Sequence, residues 1–218
     1  MCFSALASFS VAVGTGLVGA LTATKLSNWR DVPLASIPLL FTLQQTIEGV
    51  LWVILPAASD TALSGLLANV FAFIALVVWP LLSPFAVGLV EPNRTRRLIM
   101  VLLFVLALPI ALLGLFDLSA RPYGVCIAQH SLSYSNGTAY SPFELGTYIV
   151  CVCCPLLLAS DKILRGFGMI AVTGLAISSF FYFVTSFSVW CFFAAAASVT
   201  VYLYFTAASE HPVHTRSV

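Results

Sequence analysis

Gln44, Gln45 and Glu48 sit inside an unbroken apolar run, LASIPLLFTLQQTIEGVLWVILP, residues 34–56. An ionisable side chain in such a run costs ~2.5–3.5 kcal/mol or more in hydrocarbon and marks a functional site by default. Gln44, Glu48 and Trp52 recur at i, i+4 and i+8 and share one helix face, with Gln45 on the flank one turn before Glu48. A carboxyl sealed there favours its neutral form, which donates as well as accepts hydrogen bonds. Two roles follow. The group can glue helices together, at ~0.6 kcal/mol per hydrogen bond. Alternatively, Glu48 can act as acid or base on a lipid or small molecule.

A second set of reactive side chains lies far apart in sequence. Cys2 opens the first apolar run, Cys191 sits in SVWCFFAAAAS, and His130 is the one histidine outside the C-terminal tail. Thiolate, imidazole and carboxylate are ligand types for zinc or copper, so Cys2, Glu48, His130 and Cys191 form a candidate metal set. No CxxC, HExxH or HxxxH spacing supports it locally. The argument rests on depth. Glu48 lies eight residues, ~12 Å, below one end of its helix. Asn69 is about equally deep in the third helix, and Cys191 is one turn below the same end of the seventh. A disulfide between Cys2 and Cys191 is the competing arrangement. Cys151, Cys153 and Cys154 read as small apolar fillers of one helix.

Long apolar elements must position these residues. Of the 218 residues, 61% are hydrophobic and 8% charged, with mean hydropathy +1.05. A soluble domain carries about 25% charge, so the chain reads as an integral membrane protein. Its net charge of +1 offers nothing to nucleic acid. The apolar runs predict seven transmembrane helices, at about 3–25, 34–56, 62–90, 97–116, 144–160, 164–185 and 187–208. The fold class is therefore all-α, one seven-helix bundle over residues 1–208 with a short tail, 209–218. The N-terminus lacks a basic n-region and reads as a retained first helix. Pro80 and Pro84 predict a kink in the third helix. Glycines in the first and sixth helices (Gly14, Gly16, Gly19; Gly166, Gly168, Gly174) read as close-packing surfaces.

Lys25, Arg30, Arg94, Arg96, Arg97, Lys162 and Arg165 all fall in the odd-numbered loops. The positive-inside rule then puts the N-terminus outside and the C-terminus in the cytoplasm. The one long loop, 117–143, becomes an outer lid. Within it YGVCIAQHSLSYSNGTAY reads as a small hairpin, with Asn136-Gly137 nearby as a turn signal. Asn136-Gly137-Thr138 also fits a glycosylation acceptor.

The opening Met1-Cys2-Phe3-Ser4-Ala5, with Ala7-Ser8-Phe9, resembles an uncharacterised family of small bacterial multi-pass membrane proteins. So do Gln44-Gln45-Thr46-Ile47-Glu48-Gly49-Val50-Leu51-Trp52, His130 followed by Tyr134, and Ser188-Val189-Trp190-Cys191-Phe192-Phe193-Ala194-Ala195. The resemblance implies the multi-pass architecture, a bacterial inner membrane and the same candidate residues. It implies no activity.

Several classes are set aside on residue grounds. A retinal protein needs a mid-membrane lysine, whereas Lys25 and Lys162 lie at helix ends. A two-histidine haem and the three-histidine zinc hydrolases resembling alkaline ceramidases both lack their histidines. No inverted repeat points to a carrier. The leading expectation is a binding or sensing protein with an outward polar pocket built from Gln44, Gln45, Glu48, Trp52 and Asn69, able to hold a metal and to take a small-molecule or lipid ligand. A membrane-embedded enzyme using Glu48 and a small-molecule or proton-linked transporter are the alternatives. The oligomeric state is left open.

Overall fold

The structure, a computed structural model, describes residues 4–57, 61–128 and 130–210. The helices are α1 (Ala5–Ala23), α2 (Val32–Ala35), α3 (Ile37–Ile54), α4 (Ala62–Phe73), α5 (Trp79–Val90), α6 (Arg94–Ala120), α7 (Pro142–Leu158), α8 (Lys162–Phe181), α9 (Ser186–Ala197) and α10 (Val199–Glu210). A hairpin of β1 (Gly124–Ala128) and β2 (Ser131–Ser135) interrupts them. Cys2 and residues 211–218 of the expected tail lie outside the described residues.

These pieces make seven long helical segments. Six are long and apolar enough to cross a membrane: Ala5–Ala23, Trp29–Ile54, Ala62–Val90, Arg94–Ala120, Lys162–Phe181 and Ser186–Ala207. The seventh, α7, has 17 residues, the short end of what spans ~30 Å. The bundle encloses polar side chains within an apolar core and turns further large apolar side chains outward. Gln44, Gln45, Glu48, Ser188 and Ser198 are fully buried, while Leu17, Leu102, Leu112, Phe116 and Phe180 project outward. Hydrocarbon replaces water around such a protein, so leucine gains nothing by hiding and hydrogen-bonding groups gain everything. The chain is an integral multi-pass membrane protein.

Local chemistry sets the helix ends. Thr61 with Ser64, and Ser141 with Glu144, form reciprocal capping boxes that start α4 and α7. The second begins α7 at Pro142, two residues before the expected 144. Asn93 caps α6, which runs for 27 residues to Ala120, past both ends expected for it. In the last span Ser198 turns its hydroxyl back to Ala195 O at 2.7 Å and divides α9 from α10.

The third span breaks where Pro80 requires it. Proline has no N–H, and its ring crowds the carbonyl one turn earlier. The chain widens into a π-turn at Ile74–Val78. The Tyr148 hydroxyl of α7 donates to Ala75 O at 2.7 Å within that turn. Gly114 of α6 abuts it, where a Cβ would stand 3.2 Å from Leu76 O. Gly168 serves α8 similarly: a Cβ there would meet Leu157 N at 2.9 Å. Of the other predicted packing glycines, Gly16, Gly19 and Gly174 also face neighbouring side chains, whereas Gly14 and Gly166 face open space.

The hairpin pairs Ala128 with Ser131, and His130, just before that pair's second member, takes φ 57. Asn136-Gly137 lies beyond β2, where Gly137 at φ 79 turns the chain toward α7. The register follows from burial. Leu132 is fully buried among Leu51, Leu55, Phe71 and Cys191, and a slip of one residue would turn it out. Ser131 and Ser133 are buried as well, so β2 is the inner strand and β1 the outer one.

Candidate functional site

Glu48 lies at the centre of the bundle, fully buried, as its sequence setting requires. Ser188 Oγ of α9 donates to its Oε1 at 2.5 Å, and Gln45 Nε2 donates to its Oε2 at 3.0 Å. One turn away, Gln44 Oε1 accepts from Trp79 Nε1 at 2.9 Å, and Trp79 stacks on Phe41. The Cys191 thiol faces Gln44 and Glu48. α9 meets α3 through a strip of small side chains, Ser188, Cys191 and Ala195, at one-turn spacing, which lets the carboxyl approach. Gln44 Nε2 and Gln45 Oε1 are buried without a hydrogen-bond partner. Trp52, on the same face of α3, packs against the layer of Leu51, Phe71 and Leu132.

The other predicted residues part company here. Asn69 does not join Glu48. Its amide donates to Tyr123 O at 3.3 Å and its Oδ1 accepts from Tyr123 N at 3.0 Å, pinning the lid to α4. One face of a helix cannot show from sequence which neighbour it meets, and depth alone misled. His130 is exposed at the hairpin tip, whereas Glu48 and Cys191 are buried. Among the described residues no group of three or more His, Cys, Asp or Glu side chains could hold a metal ion. Cys2, the fourth predicted ligand, lies outside them. Cys126, Cys151, Cys153, Cys154 and Cys191 are free thiols.

A cavity of about 310 Å³ lies between the hairpin and helices α4, α7, α8 and α9. Its lining includes Phe71, Tyr134, Phe187 and Trp190 together with Tyr123, Tyr140, Thr138, Ser179 and Ser186. Tyr134 stacks flat on Phe71 at 4.2 Å. Phe71 and Ala75 line the cavity and share one packed layer with Cys191 and Leu51, so the cavity stands next to the Glu48 cluster. A smaller hollow of about 30 Å³ shares Leu76, Tyr140, Leu145 and Phe187 with it and continues along Ile110 and Leu113.

Asp117, at the end of α6, ties this wall together. It accepts from Thr138 Oγ1 at 2.6 Å, Asn136 Nδ2 at 2.7 Å, Tyr140 OH at 2.7 Å and Tyr123 OH at 3.0 Å. Tyr123 and Tyr140 also bond each other at 2.7 Å. Burial first, and then the neighbouring carboxylate, push the Tyr123 phenol up to about 12. Burial, Tyr123 and Asp117 raise Tyr140 as well. Both phenols therefore stay neutral. Sequence reasoning passed over this hub, although three of the seven tyrosines fall within the lid together with Asp117.

At the opposite end, Glu91 accepts from Asn93 N, Ser160 N and Ser160 Oγ, and Arg96 spans Leu158 O, Ala159 O and Ser160. These bonds fasten the α5–α6 turn to the α7–α8 turn. No curated protein and no solved structure matches the chain. A family model does, over residues 1–217, and the protein with this bundle, lid and buried carboxyl belongs to a family of unknown function (DUF6629).

Proposed function

We propose that the protein is a ligand-binding or sensing protein of the plasma membrane, with its pocket under the hairpin at the outer face. One observation carries the reading. A cavity of about 310 Å³, lined by aromatic residues and a few hydroxyl-bearing ones, stands at the junction of four helices and the hairpin. That is the size and lining of small-molecule sites. The orientation rests on charge: Lys25, Arg30, Arg94, Arg96, Arg97, Lys162 and Arg165 gather at the end opposite the hairpin. In this reading the Glu48 cluster is the polar floor that fixes α3 to α9 beneath the pocket. Glu48 and Ser188 are fully buried, so a substrate has no path to them, and the enzymatic alternative is the weaker one.

Native mass spectrometry of protein released in mild detergent tests the proposal, alongside calorimetry with phenol, medium-chain alcohols and choline. Wild-type protein should carry or take up a small molecule. Ser179→Trp, which puts an indole at the cavity wall, should lose it with unchanged thermal melting. No adduct and no heat with any of these probes would refute the reading.

A further inference from the structure

We propose, resting on the pocket reading above, that the cavity recognises a quaternary ammonium group. Six aromatic side chains line it: Phe71, Tyr123, Tyr134, Tyr140, Phe187 and Trp190. Ring faces attract cations, and a weakly hydrated cation such as trimethylammonium gains most from them. Two carboxylates stand near the cavity, and Arg121, also near it, is exposed, with only its carbonyl tied to the wall, where it accepts from Asn136. The lining itself holds no lysine or arginine. Asp117 lies directly behind Tyr123, Asn136, Thr138 and Tyr140, which all contribute to the wall. Glu144 lines the adjoining hollow. An anion entering here meets no partner and two carboxylates.

The hydrogen bonding decides which cation. Both oxygens of Asp117 already accept bonds, one from Thr138 and the other from Asn136 and the Tyr123–Tyr140 pair. Glu144 Oε2 already accepts from Ser141 N and Oγ, each at 2.7 Å. A primary ammonium brings three N–H donors that must be met on leaving water, and Asp117 and Glu144 Oε2 already serve other donors. A quaternary ammonium brings none. It needs only a negative field and aromatic surface, which this wall supplies.

Such a group reaches the cavity as a free solute or as a lipid headgroup. The smaller hollow gives the second route a geometry, because it runs along Ile110 and Leu113 between α6 and α7. Leu113 and Leu145, 47% and 43% exposed, face the bilayer there. An alkyl chain lying in that slot would leave the headgroup in the cavity.

Calorimetry on protein in nanodiscs of phosphatidylglycerol and phosphatidylethanolamine, free of choline lipids, tests this. Choline should bind about tenfold or more tighter than dimethylbutanol, its uncharged carbon isostere. Phe187→Leu should weaken choline about tenfold and leave dimethylbutanol within about twofold. Equal binding of the two overturns the ammonium inference and leaves the pocket reading standing. Failure of both of these and of the alcohol and phenol probes overturns the two together. Ile110→Trp, which fills the slot, separates the sources. Loss of lysophosphatidylcholine binding with choline unchanged assigns the headgroup, and choline binding without any preference for lysophosphatidylcholine assigns the solute. Either result supports the inference.

Discussion

Replacing Glu48 measures what a buried carboxyl does in this bundle. Among the hydrogen bonds that end on it are those from Ser188 Oγ and Gln45 Nε2. Glu48→Gln keeps the shape and can keep both bonds. Its new oxygen accepts from Gln45 Nε2, and its new amide donates to Ser188 Oγ, whose hydroxyl turns to accept. Glu48→Leu keeps most of the volume and none of the bonding. A buried donor deprived of its acceptor costs ~1–3 kcal/mol in water-soluble proteins. Interhelical bonds in membranes average about 0.6 kcal/mol and reach about 1.7. Two such losses put Glu48→Leu at roughly 1–3 kcal/mol below wild type, with Glu48→Gln within about 1 kcal/mol.

The assay is reversible unfolding of purified protein in mixed micelles, read by circular dichroism. A double-mutant cycle with Ser188→Ala isolates the pair. The coupling between Glu48→Leu and Ser188→Ala should be roughly 0.5–1.7 kcal/mol. If Gln and Leu destabilise equally, or the cycle shows no coupling, Glu48 is not held by its polar partners. The account of α3 and α9 as helices joined through that carboxyl then fails.

Three further outcomes follow from the geometry. Cys126 is an exposed free thiol on β1, so a membrane-impermeant maleimide should label it in intact cells and not label Cys126→Ser. Labelling that requires permeabilised cells would reverse the orientation. Asp117→Ala removes the shared acceptor of four lid groups and should loosen residues 121–141 by roughly 1–3 kcal/mol. Hydrogen exchange should rise there and stay unchanged in α1 and α3, and uniform protection across both would contradict the hub. Tyr148→Phe deletes the bond to Ala75 O in the π-turn and should cost about 0.6–1.7 kcal/mol in the same unfolding assay. A variant as stable as wild type would mean that the carbonyl needs no partner.

The seven spans were legible because each is a continuous apolar run, and the bilayer tolerates few other ways to cross it. Glu48 was legible for the opposite reason, as a carboxyl where none is welcome. What sequence periodicity cannot carry is the identity of the neighbour. Gln44 finds Trp79 and Glu48 finds Ser188, over 35 and 140 residues of chain respectively. Asn69 looked equivalent by depth, yet it turns toward the lid and holds Tyr123. The π-turn was half visible: Pro80 announced a break, and only the packing of Tyr148 and Gly114 shows its form.

The lid was the least readable part, and its physics explains why. A membrane helix is specified by composition over twenty residues. The lid is specified by a few polar atoms meeting at one carboxylate. Asp117 looks like an ordinary charge at the end of a span, where a solvated acid needs no partner. It becomes informative only once Tyr123, Asn136, Thr138 and Tyr140 return to it from 6, 19, 21 and 23 residues away. Those bonds bring the tyrosines to the rim of one cavity with their phenols neutral, and they occupy both oxygens of the carboxylate. The residue that builds the wall therefore acts on a ligand through its charge, across the rings it holds in place. A lid made this way can select for charge and shape without a direct ion pair. For that reason, removing Asp117 should weaken choline binding and loosen the lid together, whereas Phe187→Leu should weaken binding alone.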